Sequence, residues 1–98
     1  LSEAEIRRLA AQGRRLLAGA APLVARGGVL VAITCSLEAE ENQDAIAAFL
    51  EGKPGWEPVD LATMLPAALG RYVVGAGMWQ LRTGDDHDGF TVHVLRRG

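Results

Sequence analysis

The sequence predicts an α/β fold, and three observations predict it. Gly27-Gly28-Val29-Leu30-Val31-Ala32-Ile33-Thr34-Cys35 is an apolar strand opened by a glycine pair. Apolar residues at helical spacing lie on both sides of it, and the C-terminal end alternates as a strand does. The 98 residues allow one small domain or part of a larger one; 49% are hydrophobic and 22% charged, which fits a globular protein. No apolar run approaches the ~20 residues of a membrane helix, and no signal-peptide pattern opens the chain. A net charge of −2 gives no global attraction to nucleic acid, so affinity for RNA must come from local patches. The single cysteine rules out an internal disulfide and a multi-cysteine zinc site, and it suits a reducing, cytoplasmic setting.

Ser2 and Glu5 have the spacing of a capping box. Ile6, Leu9, Ala10, Gly13, Leu16, Leu17 and Ala20 then recur along one helix face. A long amphipathic helix is expected, ended or kinked by Pro22, with a reversal at Gly27-Gly28. The strand after it is apolar without alternation, the pattern of a parallel strand covered on both faces. A second helix is expected from about Glu38 to Glu51, with Ala45, Ile46, Phe49 and Leu50 toward the sheet and Gly52 and Pro54 ending it. Between Trp56 and Gly77 the period is weak, and one short helix near Leu61 to Leu69 is expected. Met78 to Arg82 and Asp88 to Arg96 form a hairpin about the polar turn Thr83 to His87, with Phe90, Val92 and Val94 alternating against Thr91 and His93. The order of elements implies a parallel crossover between the first two strands and a final antiparallel strand.

Cys35 falls at the carboxyl edge of the first strand, where open α/β sheets bind ligands and carry out chemistry, which makes it a candidate nucleophile. A helix start beyond it favours a thiolate; Glu38, Glu40, Glu41 and Asp44 oppose one, so activation is expected from substrate or from other parts of the protein. Glu40, Glu41 and Asn42 are read as a helix start whose acids complement the helix dipole, with the Asn42 amide as a candidate to tie the turn beneath Cys35. Arg7, Arg8, Arg14 and Arg15 recur at seven-residue spacing on the first helix, either as contacts for RNA phosphates or as a solvated face. His87 and His93 are read as a turn and a strand-face residue rather than as a base for Cys35. Asp85, Asp86 and Asp88 are read as turn residues rather than a cation site, and Trp56 and Trp79 as packing residues rather than base-stacking platforms.

The series Thr34-Cys35-Ser36-Leu37, Glu40-Glu41-Asn42 and Asp88-Gly89-Phe90, in this order and spacing, resembles the RNA cytosine 5-methyltransferases of the Sun/RsmB (NOL/NOP/Sun) type. Gln12, Leu16-Leu17, Ala20-Ala21, Leu23 and Gly27-Gly28 extend the likeness over nearly the whole chain. Ala39 stands where that family often has proline, and Gln80-Leu81-Arg82-Thr83 where it has a Leu-Leu-Pro-His-like approach to the hairpin. The resemblance implies the C-terminal portion of a Rossmann-like, S-adenosylmethionine-dependent methyltransferase sheet, with the final strand inserted between the other two. It implies that residues 1–98 are a partial domain whose cofactor-binding part lies upstream, so that no cofactor-binding residue falls in this chain. It further implies a cytoplasmic enzyme acting on RNA, with ribosomal RNA the expected substrate, in which Cys35 attacks carbon 6 of a cytosine, flanked by the motif residues Thr34, Ser36, Asn42 and Asp88, with no metal. Taken alone the chain is expected to be inactive, and the unpaired edge of the first strand to make it dimerise, swap or fold weakly. The alternatives are a non-enzymatic RNA- or protein-binding module built on this half-fold, and a small thiol hydrolase, which needs a histidine within reach of Cys35.

Overall fold

The computed structural model describes residues 2–82 and 89–98. The elements are α1 (Glu3–Ala20), β1 (Val29–Thr34), α2 (Gln43–Glu51), β2 (Trp56–Pro58), α3 (Leu61–Met64), α4 (Ala67–Gly70), β3 (Val73–Gly75), β4 (Met78–Arg82) and β5 (Gly89–Arg97), with 3₁₀ turns at Ala21–Leu23 and Ala39–Glu41. The expected turn with Asp85, Asp86, His87 and Asp88 lies outside the described residues.

The five strands form one sheet in the order β1-β5-β4-β3, and β2 pairs with the C-terminal end of β5. All these pairings are antiparallel, and β5 pairs with β1, β2 and β4. Because β1 and β4 are both antiparallel to β5, they run parallel to each other with β5 between them. The expected crossover and the inserted last strand are therefore both present.

Local chemistry explains most boundaries. Ser2 Oγ accepts from Glu5 N–H at 3.1 Å, the N-cap that starts α1, and the Ser2 hydroxyl donates to Glu5 Oε1 at 3.1 Å, so the carboxylate meets the side chain of the cap rather than its backbone N–H. Pro22 follows the helix in a 3₁₀ turn, and Gly27, at φ +80°, makes the reversal into β1. The second helix departs from expectation: a 3₁₀ turn over Ala39–Glu41 precedes α2, and Asn42, at φ −117° and ψ −95°, separates the two. Its side chain is committed to other backbone groups, as described below. Pro66 divides the single short helix expected near Leu61 to Leu69 into α3 and α4. β2 and β3, three residues each, carry no readable period.

The core joins Leu17 and Ala21 to Ile46, Phe49 and Leu95, with Leu30, Ala32, Leu50 and Trp56 packed around them. Burying each large aliphatic or aromatic side chain contributes about 1.5–3 kcal/mol. Both long helices thus cover the face of Leu30, Ala32 and Leu95, while on β1 Val29, Val31 and Ile33 remain exposed. The expectation of a first strand covered on both faces is corrected: the described residues cover one. On α1 Leu16 is also exposed, beside Val31 and Ile33, whereas Ala10 and Leu17 are buried.

Trp56 packs edge-on against Phe49 at 5.4 Å. Trp79 donates its indole N–H to Leu69 O at 2.8 Å and lies between Tyr72 and Phe90, so both tryptophans are packing residues. No helix among the described residues is long and apolar enough to cross a membrane.

Gly77 marks where β2, β4 and β5 meet. At φ +62°, a Cβ there would lie 2.6 Å from Val94 O and 2.9 Å from Pro58 Cβ. Gly77→Ala is expected to lower stability by about 2 kcal/mol or more, through strain and displaced backbone together. A urea midpoint equal to that of the unmodified protein would contradict this account of the junction.

Candidate active site

Cys35 follows the last residue of β1, exposed, at the start of the turn that leads into the Ala39–Glu41 segment. It opens onto a cleft of about 310 Å³ walled by Leu9, Gln12 and Leu16 of α1 on one side and by Ser36 and Glu41 on the other. The thiol is therefore presented to solvent between a partly apolar helix face and a polar turn.

The turn is held from beneath by Asn42, which has no exposed surface. Its Nδ2 donates to Ser36 O and to Glu38 O, each at 2.9 Å, and its Oδ1 accepts from Thr34 Oγ1 at 2.7 Å. One amide thus ties the residue before Cys35 to the residue after it and to the approach of the 3₁₀ turn. Ser36 Oγ accepts from Glu38 N–H at 3.0 Å and donates to Glu41 Oε2 at 2.6 Å. The N–H groups of Glu41 and Asn42 are taken by Glu38 O and Ala39 O. The helix start expected to favour a thiolate is hence displaced: α2 begins eight residues beyond Cys35, and the N–H groups of Glu38, Glu41 and Asn42 are engaged within the turn. Glu41, bonded to Ser36, is a structural carboxylate.

β5 supplies a second set of contacts. Thr91, also with no exposed surface, donates from Oγ1 to Ser36 O at 2.9 Å and accepts from Gln80 Nε2 at 3.0 Å. His93, also buried, places Nε2 3.4 Å from Asn42 Oδ1. It faces Asn42 rather than Cys35, so the base required by a thiol hydrolase is not supplied by His93; His87 lies outside the described residues. Strand alternation alone does not mark Thr91 and His93 as partners of the turn. Their signal was two polar residues on one face of the strand that pairs on both edges, where polar groups are kept only when bonded.

The motif residues Thr34, Cys35, Ser36 and Asn42 are therefore brought together, whereas Asp88 lies outside the described residues. Arg7, Arg8, Arg14 and Arg15 are all exposed on α1. Arg14 lines a groove with Ala48 and Lys53, on the α2 side of the helix and away from the Cys35 cleft. Among the described residues no group of three His, Cys, Asp or Glu side chains is arranged to hold a metal ion.

Helices on one face of a sheet whose last strand is inserted antiparallel, with a thiol where the first strand ends, define a portion of a Rossmann-like methyltransferase domain. Two solved structures share it. One, described as the crystal structure of PH0851, superposes with a TM-score of 0.79 at 31% identity, covering 99% of this chain and 21% of that one. A methyltransferase homolog protein from Pyrococcus horikoshii superposes with a TM-score of 0.67 at 22% identity, covering 100% of this chain and 34% of that one, and shows the fold alone. The family model for 16S rRNA methyltransferase RsmB/F matches residues 1–96, and the chain belongs to this family. It is 34% identical over 91 residues to the probable ribosomal RNA small subunit methyltransferase B of Bacillus subtilis (strain 168), covering 92% of this chain and 20% of that protein. The chain therefore spans about a fifth of the length of that relative.

Burial pushes the His93 imidazole below its ordinary value of 6.5. The native state then holds the ring neutral while the unfolded chain takes up the proton first, so this contribution to stability is complete above pH ~6.5 and is lost as pH falls below it. The unfolding free energy is expected to decline from pH ~7 to ~5.5, and His93→Gln to flatten that decline. Equal slopes for the two proteins would show that His93 is not the group responsible.

Proposed function

We propose that this chain is the nucleophile-bearing part of an S-adenosylmethionine-dependent RNA cytosine 5-methyltransferase that acts on ribosomal RNA in the cytoplasm. The observation that carries the reading is an exposed thiol, Cys35, at the carboxyl end of a strand, in a turn that a buried amide and a buried hydroxyl hold rigid, within a chain of the RsmB/F family.

The proposed chemistry begins with the Cys35 thiolate adding to carbon 6 of a target cytosine. The new C6–S bond moves electron density to carbon 5 and makes that carbon nucleophilic. Once carbon 5 is methylated and its proton has left, the C6–S bond breaks and the thiolate returns to Cys35. A base inside a duplex is out of reach of a fixed thiol, so the cytosine must be single-stranded or flipped out. The 310 Å³ cleft gives the base one wall, from Leu9, Gln12 and Leu16.

The turn after β1 does not fit a nucleotide cofactor: Cys35-Ser36-Leu37-Glu38 has no glycine, and the Glu38 N–H already bonds Ser36 Oγ. We assign the binding of S-adenosylmethionine, the methyl donor, to other parts of the whole protein. The exposed face of Val29, Val31 and Ile33 is the surface on which we expect those parts to pack.

Capture tests the reading. Full-length protein containing this chain is expected to form a covalent adduct with RNA carrying 5-fluorocytosine in the presence of S-adenosylmethionine, and Cys35→Ala to form none. Intact RNA binding without an adduct in the unmodified protein would move the assignment to a binding module. The arginines give a separate expectation: removing Arg14 and Arg15 together should reduce the slope of log affinity against log salt by about 1.4, at ~0.7 per phosphate contact on single-stranded RNA. An unchanged slope would leave them as a solvated face.

A further inference from the structure

We propose that Thr91 and His93 of β5 are positioning residues for the nucleophile, fixing where Cys35 sits by holding the Ser36 carbonyl and the Asn42 side chain. The inference rests on the reading of Cys35 as nucleophile and adds two residues outside the Thr-Cys-Ser and Glu-Glu-Asn segments.

Direction of donation decides what each residue does. Thr91 Oγ1 accepts from Gln80 Nε2 at 3.0 Å, which leaves its one hydrogen for Ser36 O at 2.9 Å. Asn42 spends both amide hydrogens on Ser36 O and Glu38 O, so its Oδ1 can only accept. That oxygen takes the Thr34 hydroxyl at 2.7 Å, and His93 faces it at 3.4 Å with the Nε2–H form as the compatible tautomer. The His93 contact is long and acts as an orienting one, whereas the Thr91 bond is of ordinary length. The Ser36 carbonyl is therefore gripped from two sides, by the α2 approach through Asn42 and by β5 through Thr91.

β5 is the element best suited to this task, because it pairs with β1 on one edge and with β4 and β2 on the other. Thr91 stands opposite Thr34 and His93 opposite Ala32, so both sit beside the end of the strand that delivers Cys35. A strand paired on both edges has little freedom to shift, and what it grips inherits that rigidity. A thiol that must meet carbon 6 of a base at a defined angle loses rate when its turn drifts by about 1 Å, even where substrate binding is unchanged.

The experiment uses the full-length protein and 5-fluorocytosine RNA at saturation, reading the rate of adduct formation and the Kd for RNA separately. Thr91→Val, nearly the same shape without the hydroxyl, and His93→Phe, without the N–H, are each expected to slow capture about tenfold with Kd within about twofold. Thr91→Ser and His93→Gln, which keep a donor, are expected to stay within about threefold of the unmodified rate. The proposal is overturned if the apolar variants capture at the unmodified rate, if the donor-keeping variants lose as much rate as the apolar ones, or if Kd rises in step with the loss. Should His93→Phe not fold, the isosteric Thr91→Val decides. An unmodified protein that forms no Cys35-dependent adduct would instead defeat the reading of Cys35 as nucleophile, which separates the two failures.

Discussion

The buried side-chain amide of Asn42 is the interaction on which the local structure depends. A primary amide offers two hydrogens and an acceptor oxygen, and here both sides of the group are used within a few residues of Cys35. The same commitment explains why the second helix begins late. Its backbone angles depart from the helix because the side chain reaches back to Ser36 and Glu38, so the segment from Glu38 to Glu51 forms a 3₁₀ turn and then α2 rather than one helix. An apolar residue of the same size would leave Glu38 O without its side-chain donor, at about 1–3 kcal/mol for a buried group left unsatisfied, while Ser36 O would keep only the Thr91 side of its grip.

The sequence made this region legible to different depths. The glycine pair, the apolar run and the acidic segment after it place Cys35 at a strand end without ambiguity, because each signal is local. Asn42 was legible as a tie for the turn, since its spacing from Cys35 brings a short amide back beneath it. Thr91 and His93 were not, and the reason is geometric. Alternation along Gly89 to Arg97 separates two faces but does not say which one the helices cover. The helices cover the face of Thr91, His93 and Leu95, leaving Phe90, Val92 and Val94 half-buried on the other.

The apolar run of β1 misled for a related reason. Val29, Val31 and Ile33 have the composition of a doubly covered strand, but composition reports what a strand can bury rather than what the neighbouring residues cover. The same holds for Leu16, apolar and on the helix face by spacing, yet set at the rim of the covered surface. β2 and β3 lay beyond reach because three residues establish no period; they exist through pairing with β5 and β4.

The position of β5 has a consequence for how the molecule is made. Among the described residues it is the last of five strands, yet it is the one that β1, β2 and β4 pair with. During synthesis the ribosome releases Cys35 long before Thr91, and for that interval the edges destined for β5 wait without a partner. The sheet can close only when the final strand slots between elements already present, a step of high contact order and so a slow one. A chain broken off before β5 carries Cys35 without Thr91 and His93, so the contacts around its turn are complete only once this strand has joined the sheet.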